Sequence, residues 1–468
     1  MADRKIRFLS LVALLGLTAA GCSSIPFVGR GNDGEVASGE EGENKDGRKP
    51  VLAIEDELQP DPRFIGMLSS VEVPPAFANA NWTQPGGEAD HVMHHLSGPD
   101  TLDRSWKVNA SRRAAKRAPV TTPPVIAENK VFTIDPEARV TAFDVQSGSR
   151  VWQTVLTPDT REEAKKFWQF GRVDPASMGF GGGVAYDAGW LYMANGFGKA
   201  ASLNATTGEV RWEVQLSAPV RNPPTAVGGK VYIVTMNNQI VALDQATGKT
   251  IWKYESFEES ARVLSSGSPA VQADIVVAPF SSGEVVALDN GTGRLLWSAT
   301  ISSSSRLNAL STLNDIAGSP VIDRGGVFAV SHAGQLAAID ARTGGVAWEV
   351  NVSSRNTPWV AGDAIYLISV EGDLLALSRN DGAVIWREQL PAYENAKKRK
   401  GAISWSGPIL AGGHLILTSS SGRMIQVNPQ SGNTTNTYKL SGGTIIPPVI
   451  AGGTVYVLTD EGQLEAWN

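Results

Sequence analysis

Val241-Ala-Leu-Asp-Gln-Ala-Thr-Gly-Lys-Thr-Ile-Trp252 is the unit from which most of this chain is built. The residues before Asp244 alternate between apolar and small, as in a half-buried strand. Asp followed by Thr-Gly is turn chemistry: the short side chain bonds nearby backbone N–H groups, and Gly accepts a positive φ. A second short strand then ends in Trp252, a flat surface that one unit can press against the next. The pattern recurs as Phe143-Asp144…Ser147-Gly148…Trp152 and Leu203-Asn204…Thr207-Gly208…Trp212. Later copies are Leu288-Asp289…Thr292-Gly293…Trp297, Ile339-Asp340…Thr343-Gly344…Trp348 and Leu377-Ser378…Asp381-Gly382…Trp386. A seventh, Val427-Asn428…Ser431-Gly432…Asn436, keeps the turn and loses the indole. Successive Trp residues stand 38 to 60 residues apart, the period of propeller blades rather than of helical repeats. These indoles are read as inter-blade packing, not as a ligand cage.

Between the units, strand pairs joined by tight Gly turns also repeat, as in Pro224-Thr-Ala-Val-Gly-Gly-Lys-Val-Tyr-Ile-Val and Pro408-Ile-Leu-Ala-Gly-Gly-His-Leu-Ile-Leu. Pro447 to Thr459 and Gly462 to Trp467 supply a blade short of its outermost strand, and Leu102 to Val108, around Trp106, is an isolated strand. Pairing the two closes the ring and removes an open edge. The expected fold is all-β: an eight-bladed β-propeller over residues 79–468.

Composition narrows the chemistry. Forty-nine Gly and 26 Pro suit many tight turns, and a net charge of −6 argues against nucleic acid as a partner. A single cysteine allows no internal disulfide and no thiolate metal cluster, and there are only five histidines. His91-x-x-His94-His95 has a possible metal spacing, but no carboxylate or thiolate clearly joins it, so no metal is expected. No phosphate-binding Gly loop and no Gly-x-Ser-x-Gly elbow occurs, and no catalytic residue or cofactor is assigned.

The N-terminus reads as an export signal. Arg4, Lys5 and Arg7 precede an apolar run from Phe8 to Leu17, and small residues lead to Cys22. Residues 1–21 are expected to be the signal peptide and 22–78 a flexible, acidic, Gly-rich tether. Three stretches interrupt the blades: residues 158–183, residues 302–318 and the basic run Lys397–Lys400. Trp82, Trp168, Trp359 and Trp405 fall outside the repeated Trp position.

Thr18-Ala-Ala-Gly-Cys22 resembles the lipobox of bacterial lipoproteins, which implies that Cys22 is acylated; Ser23 after it favours the outer membrane. The lipobox, the acidic tether and the Trp-marked blades together resemble the BamB family of the outer-membrane β-barrel assembly machinery. The resemblance covers roughly Asn81 to Asn468 and implies PQQ-like repeats, a periplasmic location and a non-catalytic role. It implies docking on a POTRA domain of BamA, with the other machinery subunits and unfolded β-barrel clients as further partners. The family's contact loops correspond to Ala261–Pro269 and Leu313–Pro320. Arg262, Val263, Leu264 and Asp315 are the implied partner-binding residues, with Leu264 standing where the family carries Arg and Ala317 where it carries a second acid. Two other readings are open: a quinoprotein dehydrogenase using pyrroloquinoline quinone and calcium, and an envelope lipoprotein that binds glycan or protein.

Overall fold

The computed structural model describes residues 58–65, 71–111, 122–157, 179, 181–256, 267–301, 316, 318–332 and 334–468. These form eight four-stranded antiparallel sheets. Seven are built from consecutive strands, opening at Val125–Ala127, Gly182–Asp187, Thr225–Val227, Ala270–Gln272, Val321–Asp323, Trp359–Ala361 and Trp405–Ala411. We number them blades 1 to 7 and count strands outward from the channel.

Blade 8 is composite. Val449–Ala451, Thr454–Leu458 and Gln463–Trp467 are its inner three strands, and Arg104–Asn109 pairs antiparallel with the third. The expected closure by the strand around Trp106 is therefore observed.

Blades cohere through one seam, repeated seven times. Trp106, Trp152, Trp212, Trp252, Trp297, Trp348 and Trp386 each donate Nε1–H to a carbonyl of the following blade at 2.8–3.1 Å. The acceptors are Val145, Ala205, Gln245, Asn290, Ala341, Arg379 and Pro429, each one residue past the Asp, Asn or Ser that opens the next turn. Each indole also covers the Gly of that turn. A Cβ on Gly293 would stand 2.6 Å from the Trp252 ring, and its φ is +70°. Gly is required there twice over, by conformation and by space.

The turns are held by their own side chains. Asp244 accepts from both the backbone N–H and the hydroxyl of Thr247, at 2.8 and 2.7 Å, and Asp289 and Asp340 repeat this with Thr292 and Thr343. Those bonds hold the three carboxyls below the usual range.

Asn436 now has an explanation. The blade after it is the composite one, in which no hairpin joins the third strand to the fourth, so no turn Gly lies opposite. Asn436 instead bonds Gln426 within its own blade at 2.8 Å. The seam between blades 7 and 8 is polar at this point. The buried Glu465 carboxylate accepts from Ser441 N–H at 2.7 Å and Trp467 Nε1–H at 3.1 Å, with Arg104 at 3.5 Å.

Part of the expected tether is packed. Asp61 N–H bonds the Val384 carbonyl of blade 6 at 2.8 Å, Arg63 pairs with Asp381 at 2.8 Å, and Leu58 and Phe64 pack on core clusters. The expected tether over 22–78 therefore overlaps the folded unit, which begins at Asp56. Its low aromatic content hid a few anchoring side chains.

Candidate functional site

Strand order alternates direction within every blade, so all connections between blades leave from one face of the ring. The two loops singled out in the sequence join blades 3 to 4 and 4 to 5. Arg262, Val263, Leu264 and Asp315 lie outside the described residues, as does Cys22. The bases of both loops are described, and they are bonded together. Gly267 N–H donates to the Ile316 carbonyl at 3.3 Å, and Ser268 N–H to Ser319 Oγ at 3.0 Å. A Cβ on Gly267 would lie 2.5 Å from the Gly318 carbonyl oxygen. Ile316, buried, anchors the second loop and donates to Phe280 O. The roots of the two loops, 51 residues apart at Ser268 and Ser319, thus share one base.

That base belongs to a larger collar. Asn222 Nδ2 donates to Gly267 O at 2.7 Å and Thr225 Oγ1 to Pro269 O at 2.6 Å, tying blade 3 to blade 4. Ser319 N–H donates to Thr357 Oγ1 at 3.1 Å, and Gly407 N–H to Asn356 Oδ1 at 3.3 Å, continuing through blades 6 and 7. The Ser268-Pro, Ser319-Pro and Thr357-Pro steps before the inner strands of blades 4, 5 and 6 supply hydroxyl groups to this collar.

The channel inside the collar is filled by the chain itself. Residues 79–98 make one circuit and bond the innermost strand of every blade or its flanking residues. Asn79 O accepts from Gly452 N–H of blade 8 at 2.7 Å, and Trp82 exchanges two 2.8 Å bonds with Ile126 of blade 1. Thr83 O meets Tyr186 N–H of blade 2, and the Gln84 amide bonds Ala226 of blade 3. Ala89 O and Asp90 O accept from Val271 and Ile322 of blades 4 and 5. His94 O accepts from Trp359 Nε1 of blade 6, and Leu96 bonds Leu410 and Gly412 of blade 7. Innermost strands otherwise present unpaired polar groups to the channel; this hub segment answers them.

The three histidines do not converge. His91 is buried, with Nδ1 2.7 Å from Pro320 O. His95 is buried between Pro74 O and Gly413 N–H, and His94 is half exposed, 3.8 Å from Asp323. Burial pushes the His91 imidazole below its ordinary value, so the ring is neutral. Trp82 and Trp359 lie nearly parallel, 6.4 Å apart, and both are buried, so their faces pack on each other and not on a sugar. Trp405 is buried too and donates to Pro391 O at 3.0 Å. The basic run Lys397–Lys400 spans the tip of an exposed hairpin, Tyr393–Asn395 with Lys400–Ala402.

Above the hub, and inside the collar, lies a cavity of about 160 Å³. Among the described residues its lining includes Trp82, His91, Trp359 and Arg355 and no carboxylate. Calcium is held by carboxylate and carbonyl oxygens, so this lining does not fit a calcium-bound quinone.

One acid on this face is strained electrostatically. Burial, and then Glu461, push the Asp460 carboxyl up to about 6. The folded value lies above the unfolded one, so stability falls as pH rises from about 4 to 6. Asp460→Asn is expected to raise stability at pH 7.5 by about 1 kcal/mol, the full shift being discounted for partial exposure, and to change nothing at pH 4. Urea midpoints at the two pH values check this; an equal gain at both would refute the assignment.

A family model described as "Outer membrane protein assembly factor BamB" matches residues 88–165, 160–388 and 391–468. The outer membrane protein assembly factor BamB of Yersinia pestis is 26% identical over 339 residues, 72% of this chain and 82% of that protein. That of Escherichia coli K12 is 26% identical over 342 residues, 73% and 82% of the two. Among solved structures, BamB from Moraxella catarrhalis superposes with a TM-score of 0.63 at 21% identity, covering 79% of this chain and all of that one. Quinohemoprotein alcohol dehydrogenase from Comamonas testosteroni reaches the same TM-score at 13% identity, over 86% and 83%. At these identities the structural likenesses speak for the fold alone.

Proposed function

This chain belongs to the BamB family of outer-membrane protein assembly factors, and we propose that it is a non-catalytic scaffold that docks on a POTRA domain of BamA. The observation that carries the reading is the shared base of the two loops on blades 4 and 5. Ser268 to Ser319 and Gly267 to Ile316 hold the roots together, so Arg262, Val263, Leu264 and Asp315 belong to loops that can act as one surface. Apolar side chains edged by charge suit a protein partner, with the charge steering and the apolar part desolvating. In this reading the lipidated Cys22 ties the scaffold to the periplasmic face of the outer membrane, and the rigid ring keeps BamA and its β-barrel clients in reach. A rigid scaffold requires no proton transfer and no bond cleavage.

The test is a pull-down and titration with the POTRA domains of the same organism's BamA. The double variant Leu264→Glu, Asp315→Lys is expected to weaken binding roughly a hundredfold, and unchanged affinity would remove these loops from the interface. Cys22→Ser is expected to leave that affinity intact while moving the protein from the membrane to the soluble fraction. Retention at the membrane would overturn the anchor.

A further inference from the structure

The third strand of each blade starts at the collar face, and where its first residue is charged a partner stands beside it. Arg139 pairs with Asp135 at 2.7 Å, Lys199 with Glu213, and Asp373 with Arg387 at 2.9 Å, while Glu284 accepts from Ser298 Oγ at 3.1 Å. Blade 7 breaks this pattern. Arg423 opens its third strand, and the residue directly opposite on the fourth is Lys439. Opposite residues point to the same side of a sheet, so two cations face one another, which is unfavourable unless an anion comes between them. Both are exposed, and they line an open cleft with Ser421 and Gly442.

The turn before Arg423 gathers more of the same charge. Ser420 N–H donates to Ser404 O and Ser404 N–H to Ser420 Oγ, each at 2.9 Å, which roots the 393–402 hairpin on this turn. Lys397, Lys398, Arg399 and Lys400 are exposed at its tip. At about 3.3 Å per extended residue the tip stands roughly 15 Å from its root. On the other side of the turn, Thr444 N–H donates to Ser419 O at 3.0 Å and sets the loop that carries Ile445, 48% exposed. Tyr393, at the foot of the hairpin, is 36% exposed. Among the described residues none of the six cations is in an ion pair. Glu394 lies against Gly401, Glu461 against Gly442, and Asp460 bonds Gly443. These three acids border the sector and leave it a surplus of positive charge, in a chain whose net charge is −6.

We propose that this sector of the collar face is a membrane-contact surface for an anionic bilayer, with headgroup phosphates between Arg423 and Lys439 and around the hairpin tip. The cations stand on two separate projections, which a continuous layer of negative charge meets at once. A short acidic segment of protein would satisfy the cleft or the tip. Tyr393 and Ile445 then enter the boundary between headgroups and acyl chains, where an aromatic ring with a polar tip and an aliphatic side chain are both stable. The hairpin lies two connections further round the ring than the second docking loop, so the two surfaces do not share a blade junction. The reading of Cys22 as a lipid anchor puts a bilayer within reach, and the test leaves that anchor out so that each can fail alone.

The mature chain from residue 22, carrying Cys22→Ser, is co-sedimented with vesicles of phosphatidylethanolamine and phosphatidylglycerol. Vesicles with phosphatidylcholine in place of the phosphatidylglycerol are the neutral reference. Partition onto the anionic vesicles is expected to be at least roughly tenfold higher, and to fall to the neutral value as salt rises from about 0.05 to about 0.5 M. Arg423→Gln with Lys439→Gln, and separately Lys397→Gln, Lys398→Gln, Arg399→Gln and Lys400→Gln together, are each expected to lower it at least roughly fivefold. Tyr393→Ser with Ile445→Ser is expected to lower it roughly threefold and to leave its salt dependence unchanged. Lys249→Gln with Arg294→Gln removes as much charge from exposed turns on the opposite face and is expected to change nothing. All the substituted side chains are at the surface, and urea midpoints check that the fold is kept. Equal partition onto the two kinds of vesicle overturns the proposal, as does binding that survives both sets of charge substitutions or an equal loss in the opposite-face control. A Glu-rich peptide that binds where the anionic vesicles do not would make the sector a protein-docking surface and overturn it as well.

Discussion

Trp252→Ala is expected to destabilise the propeller by about 4 kcal/mol, the range for emptying a large aromatic site. The indole is 7% exposed, packs at a tilt 5.9 Å from Tyr232 of its own blade and bonds the Asn290 carbonyl of the next at 3.0 Å. Removing it opens a cavity along the seam between blades 3 and 4 and leaves that carbonyl unpaired. In a closed ring such a loss is not absorbed locally, because each blade is held on both sides. Against a usual total of about 5–15 kcal/mol this is a large fraction. Gly293→Ala attacks the same seam from the other side and is expected to cost about 2 kcal/mol. Asn436→Trp supplies the contrast: it breaks the bond to Gln426 and finds no turn Gly in blade 8, so it gains no stability. Urea unfolding with a constant slope measures all three. A loss below about 1 kcal/mol for Trp252→Ala would show that the seams do not hold the ring.

Removal of residues 1–98 is expected to abolish cooperative folding of the remaining chain. The hub segment buries Trp82, Met93 and Leu96, at 2%, 2% and 0% exposure, and pairs with all eight blades. Three large apolar side chains contribute about 2 kcal/mol each, and the lost bonds about 1 kcal/mol apiece. Their sum is of the order of the whole stability of a domain. Size-exclusion profile and urea unfolding are the readouts, and a synthetic peptide covering residues 77–100 is expected to restore a sharp transition when added in trans. A truncated ring that unfolds at the unchanged midpoint would mean that the hub segment is a passenger.

The propeller was legible because each period carries both halves of its own joint. Trp252 and Gly293 are separate signals in the sequence, yet each recurs in register, and only a ring of like units gives every Trp a Gly to cover. Even the exception at Asn436 follows from the composite blade. The hub segment was not legible. Residues 79–98 have no apolar period, two of their histidines adopt positive φ, and Asn79 alone bonds Ile450, 371 residues away, as well as Gly452. Only tertiary context gives such a stretch a structure, and His91-x-x-His94-His95 drew attention for its spacing when burial and three separate backbone partners decide its role. The docking loops are a middle case. Their roots at Ser268 and Ser319 are set by the blade pattern, whereas Arg262 to Leu264 and Asp315 rest on resemblance.

The composite blade also sets an order of events. Asn109 and Gln463 are 354 residues apart yet adjacent in one sheet. A chain that emerges amino end first exposes Arg104–Asn109 as an unpaired edge until almost everything else has been delivered. Closure is then a single late event of long loop-closure distance, slow compared with forming any one blade. A nascent chain thus stays an open array of blades until its last strand arrives, and one that stops short of Gln463 leaves an unpaired sheet edge.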